Sequence, residues 1–530
     1  MDHALELYQR IGSDMKKNIT DKIIEYFNPA AAVQRYKSRA LIGAYEKGGY
    51  NGASKTRAAI GNYNPVEGDA NDAINADLPA LRSRSRDQVR NNPIAGGAVH
   101  TLVNYVIGTG LTMRSKIDST ALGLDSASAG IWRDEVNARF RAWAESTDCD
   151  AERGLNFYGI QALAFRSMLE SGDVFAILAQ AERNGRKIPV VQLIEADRVC
   201  NKDAARDTDK LVSGIEVDSM GAPVNYHICN QHPTVWKNSQ KKSWVFRPAF
   251  GAQTGRRNVI HLYNRLRPGQ MRGVPILAPV IEPLKQLSRY TEAELQAAVV
   301  SGAFAIFLKM DPNAFSELFD EDGRNNYLKG ATDWDGKFPG TTLDGPGKAV
   351  NLLPGESVED ANPGRPNSEF DPFVQAILRQ IGCELGLPFE VLIKHFTSSY
   401  SAARAALLDA WRVFSVRREF MAAYFCQPIY EDWLTREIAA GRIMARGFFE
   451  DPAIRFHWCD ADWIGDGPGS IDPQKEVAAA RERVALGIST LEAESILHDG
   501  GDWWVKHKQR TNEHRVRVGA DLEVSNQVRV

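Results

Sequence analysis

Residues 371–426 read DPFVQAILRQIGCELGLPFEVLIKHFTSSYSAARAALLDAWRVFSVRREFMAAYFC, two helical patterns separated by a short polar loop. Asp371-Pro372 is a start signal: a carboxylate that can cap, then a proline at the first helical position, where no N–H is needed. Phe373, Ile377, Ile381 and Leu385 recur at helical spacing, and Gly386 and Pro388 close the pattern in the usual order. Lys394 to Ser401 (KHFTSSYS) has no apolar period and is rich in hydroxyls that can cap the next helix. From Ala402 the period resumes, with Leu407, Trp411, Phe414, Met421 and Phe425 on one face. At ~1.5 Å per residue this second helix runs roughly 35 Å, a length that suits a strut better than a catalytic pocket.

Upstream, Glu282 to Gly302 is another long helical pattern, with Leu284, Leu287, Thr291, Leu295 and Val299 on one side. Between the two helices lie strand-like runs at Ala303–Met310 and Ala349–Leu353. They frame a Gly/Asp/Pro-rich region with an acidic cluster at Glu317, Asp320, Glu321 and Asp322, which predicts a small separate lobe. Further back, Asp77 to Val106 reads as helix broken at Asn92-Pro93, and Ile131–Trp143 and Asn156–Glu170 as two more. From Val174 to Ile260 the period changes to two, in runs such as VFAILAQAE, IPVVQLIEAD and NVIHLYN punctuated by Gly, Asn and Pro, as in a sheet of hairpins. The residues before Asp77 carry one amphipathic helix near Ile11–Phe27, then a Gly/Asn/Pro-rich passage. Downstream, Gln427-Pro428 is expected to kink or end the long helix, and Ile454–Trp463 (IRFHWCDADW) to form strand and loop. Asp472-Pro473 starts a helix, Ser489 and Glu492 form a capping box for a last short one, and the chain from Thr511 reads as a polar tail. The fold class is α+β, predominantly helical.

Composition bounds the function. With 43% hydrophobic and 25% charged residues and a net charge of −3, the chain does not grip nucleic acid by bulk charge. The six cysteines show neither a CxxC nor a framework spacing, as expected of free thiols in a reducing compartment. Neither a signal peptide nor a membrane span is expected. The longest apolar-leaning run, Ala297–Leu308, is too short for one.

Motifs for chemistry are sparse. GxxxxGK[ST], HExxH and GxSxG do not occur, and the GDGPG run at Gly465–Gly469 lacks the spacing of a phosphate loop. His457, Cys459, Asp460, Asp462 and Asp466 form the densest group of ligand types, but without a second His/Cys pair a solvated acidic loop explains them as well. Glu195 and Asp197 follow an apolar strand, where catalytic carboxylates can sit, with no partner evident in the sequence. Arg82, Arg86 and Arg90 share a helix face at i, i+4 and i+8, either a phosphate- or subunit-facing stripe or a solvated face. Catalytic residues, metal ligands and cofactors are therefore expected to be none.

The run GLPFEVLIKHFTSSYSAARAALLDAWR resembles the corresponding region of lambda-type tailed-bacteriophage portal proteins. Three further blocks keep the family's order: LRSRSRDQVRNNPIAGGAVHTLVNYVIGTGL from Leu81, HLYNRLRPGQMRGVPILAPVIEPLKQLSRYTEAEL from His261, and WIGDGPGSIDPQKEVAAARERVALGISTLEAE from Trp463. The resemblance implies a portal fold: an N-terminal arm (1–76), a wing (77–280), stem helices (281–302 and 371–388) around a clip (303–370), and a tunnel loop (389–401). Beyond them come a spine helix (402–426), a wing–crown connection (427–471), and a crown with C-terminal tail (472–530). It implies that Lys394, His395, Phe396, Thr397, Ser398, Ser399 and Tyr400 face a central channel. It also implies a ring, usually of twelve copies, at a capsid vertex. Implied partners are double-stranded DNA in transit, the terminase large subunit, a head-tail adaptor, and major capsid and scaffold proteins, with no membrane. The place would be the virion, and the host cytoplasm during assembly. Two other readings stay open: a hydrolase using Glu195/Asp197 or the His457–Asp466 group, and a helical scaffold that binds no DNA.

Overall fold

The computed structural model describes residues 19–32, 34–35, 38, 51–53, 57–65, 67–235, 241–302, 306–310, 356–360, 369–396, 399–469 and 472–520. The chain divides into two compact units, 1–68 and 69–530. In the first, a helix spans Ile19–Phe27 and a single tight turn spans Asn51–Ala53; the Ile11–Asn18 part of the expected helix lies outside the described residues. The remaining elements all belong to the second unit.

Its helical layer forms where apolar residues recur at helical spacing. Leu78–Asn91 and Pro93–Val106 are separated at Asn92, which the sequence marks as a break. The Asn92 side chain accepts from the N–H groups of Ile94 and Ala95 at 2.9 and 3.2 Å, and Pro93 takes the position where no donor is missed. Helices Ser126–Glu145 and Phe157–Ser171 come next, capped by Asp125 and Asn156. Phe140, 2% exposed, is the hub of their packing. The rings of Phe157, Tyr430, Trp433 and Trp463 meet it edge-on and that of Trp143 at a tilt, all within 6.0 Å.

The β-layer begins with a hairpin, Asp173–Arg183 paired with Arg186–Glu195, turned by Asn184 (φ 51°) and Gly185 (φ 73°). Two positive-φ residues between paired arginines are what a two-residue hairpin needs to match strand twist. Val259–Tyr263 adds a third strand on the other edge. A four-stranded antiparallel sheet runs Leu211–Val212, Ile215–Val217, Pro223–Cys229, Trp244–Pro248. Phe175, Ile177, Ile194, Ile215, Tyr226 and Ile228 form a second apolar cluster among these strands.

The long helix does not end at Pro428. It runs Tyr400–Met421, passes through a π turn at Ala422–Cys426, and continues as Gln427–Ala439. Proline has no N–H to give and its ring crowds the carbonyl four residues back; the wider turn just before Pro428 absorbs that conflict without breaking the rod.

Several expectations change or lie outside the described residues. IRFHWC is helix, not strand: Pro452–Cys459 is capped by Asp451, and only Ala461–Ile464 is strand, paired with Thr112–Ser115. Within the lobe, Ile306–Met310 pairs antiparallel with Glu356–Asp360, while Ala349–Leu353 lies outside the described residues. The cap of Leu491–Asp499 is Thr490, whose Oγ1 accepts from Ala493 N–H at 3.1 Å, one residue past the Ser489 expected. Of the stretch expected as a tail from Thr511, the part up to Gly519 belongs to a helix, Trp503–Gly519, while 521–530 lie outside the described residues.

Candidate functional site

Helices Ile281–Gly302 and Phe370–Leu385 pack side by side, with Tyr290 against the rings of Phe370 (5.4 Å) and Phe373 (5.1 Å). Leu284, Leu287, Leu378, Ile381 and Leu385 are buried, whereas Leu295, Val299 and Phe373 stay 64%, 65% and 51% exposed. One end of the pair thus belongs to the core and the other presents apolar surface outward. Phe370–Leu385 ends on Gly386 in the left-handed region (φ 67°), and Leu387 N–H donates to Gly382 O at 2.9 Å.

Residues 389–401, expected as one loop, are not one. Phe389–Ile393 is a short helix because Val391 and Leu392 reach the core. It ends at Lys394, a non-glycine residue held at φ 56°, with His395 N–H donating to Glu390 O at 3.1 Å. Lys394, His395 and Phe396 are all exposed. Ser399 Oγ accepts from Ala402 N–H at 3.4 Å, and the long helix starts at Tyr400; Thr397 and Ser398 lie outside the described residues. The loop therefore shrinks to the span from Lys394 to Ser399, bounded by a C-terminal turn and an N-cap.

Two arginines set the aim of the rod behind it. Arg417 donates to Leu385 O at 3.0 Å, tying the rod to the end of the preceding helix. Arg418 stacks on Trp411 and donates to three carbonyls, Val106 (3.1 Å), Tyr105 (2.9 Å) and Asp466 (2.8 Å). It thereby satisfies carbonyls at the end of Pro93–Val106 that have no helical partner. Burial lowers the basicity of both arginines. The same contacts account for the GDGPG run. Asp466 accepts from Thr109 N–H and Oγ1 (3.0 and 2.9 Å), and a side chain at Gly465 would lie 2.7 Å from Leu111 and 3.0 Å from the Arg418 guanidinium. Gly465 serves close packing.

Beneath the strands Asp173–Arg183 and Val259–Tyr263 lies a cluster of buried charge. Asp173, fully buried, accepts from Arg272 Nε (2.6 Å), Arg82 Nη2 (2.8 Å), Arg272 Nη2 (3.2 Å) and the Gly273 N–H (3.3 Å). His261 Nε2 lies 3.2 Å away, and against a carboxylate it must be the donor. Arg272, 2% exposed, places its remaining donors on Val199 O, Ser213 O and Ala196 O at 2.7–2.8 Å, so its whole fork is satisfied. Burial by itself would raise the Asp173 carboxyl, but Arg272 and Arg82 outweigh it and hold the group well below the carboxylate range. Burial pushes His261 down to about 4, so the ring is neutral at pH 7, and it lowers Arg82 to about 10. Gly172 (φ 90°) and Gly273 meet face to face: a Cβ on Gly273 would sit 1.9 Å from Gly172 O. The loop carrying Arg272 can reach Asp173 only because neither glycine has a side chain.

The arginine stripe divides. Arg82 is buried on Asp173 and Ser171 O, Arg86 is bound to Asp197 and to Glu195 at 3.3 Å, and Arg90 is exposed. Arg82 and Arg86 therefore place their charge on carboxylates of their own subunit, not on a phosphate or a neighbour. The carboxylates singled out separately, Glu195 and Asp197, turn out to be Arg86's partners. With His232 they form the only three-residue group among the described residues that could converge on a metal, and the guanidinium already neutralises it. The His457–Asp466 group does not converge: Asp462 pairs with Lys116, Asp466 binds Thr109, and Cys459 is buried. Arg272 is the residue sequence reasoning missed. The signal was there in RPGQMRGVP, a basic residue before glycine between two core elements, but an isolated arginine in a loop has no period to mark it.

The family model described as phage portal protein, lambda family, matches residues 56–418. The chain belongs to the lambda family of phage portal proteins. It is 26% identical over 497 residues to portal protein B of Escherichia phage lambda, covering 90% of this chain and 91% of that protein. Against the portal protein of Escherichia phage N15 it is 26% identical over 480 residues, covering 87% and 88%. Among solved structures it aligns with a chain from the neck of a native gene transfer agent particle computed with C12 symmetry. There the identity is 14%, the TM-score 0.39, and coverage 75% of this chain and 96% of that one.

Proposed function

We propose that copies of this chain close into a ring, about twelve in number, at one capsid vertex, and that double-stranded DNA enters and leaves through its centre. The observation that carries this reading is the apolar surface left on the paired helices: Leu295, Val299 and Phe373 are exposed in an isolated subunit, and the head-to-tail contacts of a closed ring would cover them. Helices Ile281–Gly302 and Phe370–Leu385 form the stem, the residues between them the clip, and the span from Lys394 to Ser399 the channel loop. The clip meets the packaging motor and later the tail-side adaptor, and the crown, from 472 on, meets capsid and scaffold proteins. Lys394 makes at most a brief phosphate contact per subunit, which suits a conduit, since each neutralised phosphate tightens the hold on DNA. The chain needs no active site for this task. The paired carboxylates Glu195 and Asp197 are both engaged by the Arg86 guanidinium. The subunit acts in the virion and is assembled in the host cytoplasm.

The test is mass by light scattering with electron microscopy of the same purified fraction. Rings of about a dozen subunits with a hole wide enough for a duplex are expected. A monomer that persists at high concentration and with scaffold protein added would overturn the reading. Deleting Thr397–Ser399 should leave the ring mass unchanged and impair packaging or retention of DNA; loss of the ring would make the loop an interface element.

A further inference from the structure

Among the described residues, the helix Trp503–Gly519 is a long element whose far half does nothing for the fold. None of its residues is buried. Its start is anchored: Asp502 caps Trp504 N–H at 2.7 Å and faces Arg114, Lys506 bonds Ser495 and Asp499, and Lys508 reaches Asp134 at 2.6 Å. From Gln509 onward every residue of the helix is exposed. Arg510, Arg515 and Arg517 have no carboxylate partner among the described residues, and the lone acid, Glu513, already accepts from Gln509 at 2.9 Å. The helix holds five Lys/Arg and one Glu, in a chain whose net charge is −3. At ~100° per residue His507, Arg510, His514 and Arg517 fall within roughly 80° of one another, a stripe of two arginines and two histidines, with Arg515 on the other side of the helix. Such a stripe with only scattered valines beside it lacks the apolar face that would carry it into a lipid surface.

We propose that this helix is a phosphate-binding arm that lies along the backbone of duplex DNA. From Arg510 to Arg517, about 10 Å of rod, the exposed charge is three arginines against one glutamate, a net positive surface of the kind that rests on a polyanion without reading its bases. The inference rests on the portal reading, which brings DNA to the protein, but it assigns the contact to the crown side of the chain and not to the channel loop. It also reconciles the acidic whole with a nucleic-acid partner: the affinity is local, and the rest of the surface does not hold DNA.

The test uses the full chain and the variant Arg510→Gln/Arg515→Gln/Arg517→Gln, whose substituted side chains are all exposed. Binding of a random-sequence duplex of roughly three helical turns is measured by fluorescence anisotropy at several salt concentrations, with the ring mass measured on each sample. Each phosphate contact contributes about 0.9 to the slope of log K against log salt, so losing the two on the stripe, Arg510 and Arg517, should flatten the slope by about 1.8. Over a four-fold rise in salt that is about 12-fold less loss of affinity. Expected are that flattening, weaker binding at low salt, and an unchanged mass. Three results would overturn the proposal: no binding by the parent chain, an unchanged slope in the variant, or a fall in the variant's mass without DNA, which would mean the helix holds an acidic neighbour. A parent chain that forms no ring, yet binds the duplex with a slope the variant flattens, overturns the portal reading and supports the arm.

Discussion

Asparagine in place of Asp173 changes almost no volume and tests the buried charge cluster directly. In the native chain three guanidiniums (Arg82, Arg86, Arg272) face three carboxylates (Asp173, Asp197, Glu195). Asp173 takes donors from Arg272, Arg82, His261 and the Gly273 N–H, all into a site without solvent. The amide can accept with one oxygen only, turns an NH2 group toward a guanidinium, and leaves the cluster one positive charge in excess. Removing one member of a buried pair costs about 3–5 kcal/mol, most of it the penalty of the charge left behind. A molecule of this size need not unfold in one step, so the readout is local: hydrogen exchange of peptides covering Asp173–Arg183 and Val259–Tyr263. The loss corresponds to roughly 10²–10⁴-fold faster opening. Adding Arg82→Met, which restores the balance with an apolar side chain of similar reach, should recover part of it. Less than about tenfold acceleration in Asp173→Asn, or no recovery in the double variant, would refute the account and mean that solvent or rearrangement already screens the cluster.

Acid stability should carry the mark of His261. Its folded pKa, about 4, lies below the ordinary 6.5 because burial disfavours the charged ring, so the unfolded chain binds the extra proton first. Stability is then full above pH 6.5 and falls between 6.5 and about 4; His261→Gln should flatten that part of a denaturation-versus-pH profile, whereas Asp173, depressed further, acts only below about pH 4. Gly273→Ala should abolish soluble expression or lower the melting temperature sharply, because the new Cβ meets backbone and not a movable side chain. Lys394→Gly should leave the melting temperature unchanged or raise stability by about 0.5–1 kcal/mol, since it relieves a left-handed non-glycine residue; a clear loss would show that the lysine stem packs.

Local rules carried the elements with an apolar face. Phe370–Leu385, the break at Asn92 and the hairpin strands come from local period and punctuation, although Asp371, expected to cap the first of these, lies in its first turn and Glu369 holds the N-cap position without a side-chain bond. Failure came where that face is missing or misleading. Trp503–Gly519 has nothing to bury, so only its capping Asp502 announces it. In Pro452–Cys459 the alternation of IRFHWC imitates a strand and hides the Asp451-Pro452 start. The charge cluster was illegible for a different reason. Asp173 and Arg272 are 99 residues apart, and Arg82 is 91 from Asp173, so nothing local distinguishes an arginine bound for the interior from one bound for solvent. The same blindness put Arg82 and Arg86 on a surface stripe and left Glu195 and Asp197 as unexplained acids, when each pair answers the other.

The wide turn at Ala422–Cys426 acts as a phase shifter. An extra residue in a helix rotates everything beyond it by about 100°. Downstream, Phe425, Ile429, Tyr430 and Trp433 lock the rod into the aromatic hub. Upstream, the added rotation is what brings Arg417 and Arg418 to the carbonyls of Leu385, Tyr105, Val106 and Asp466, and so sets the direction in which the rod delivers Lys394–Ser399. Deleting one residue within the turn would convert it to ordinary helix and swing the loop by nearly a third of a circle while every core contact of the downstream half stayed in place. The azimuth of the loop is therefore written about 25 residues from its tip, by a residue count and not by any contact the loop makes.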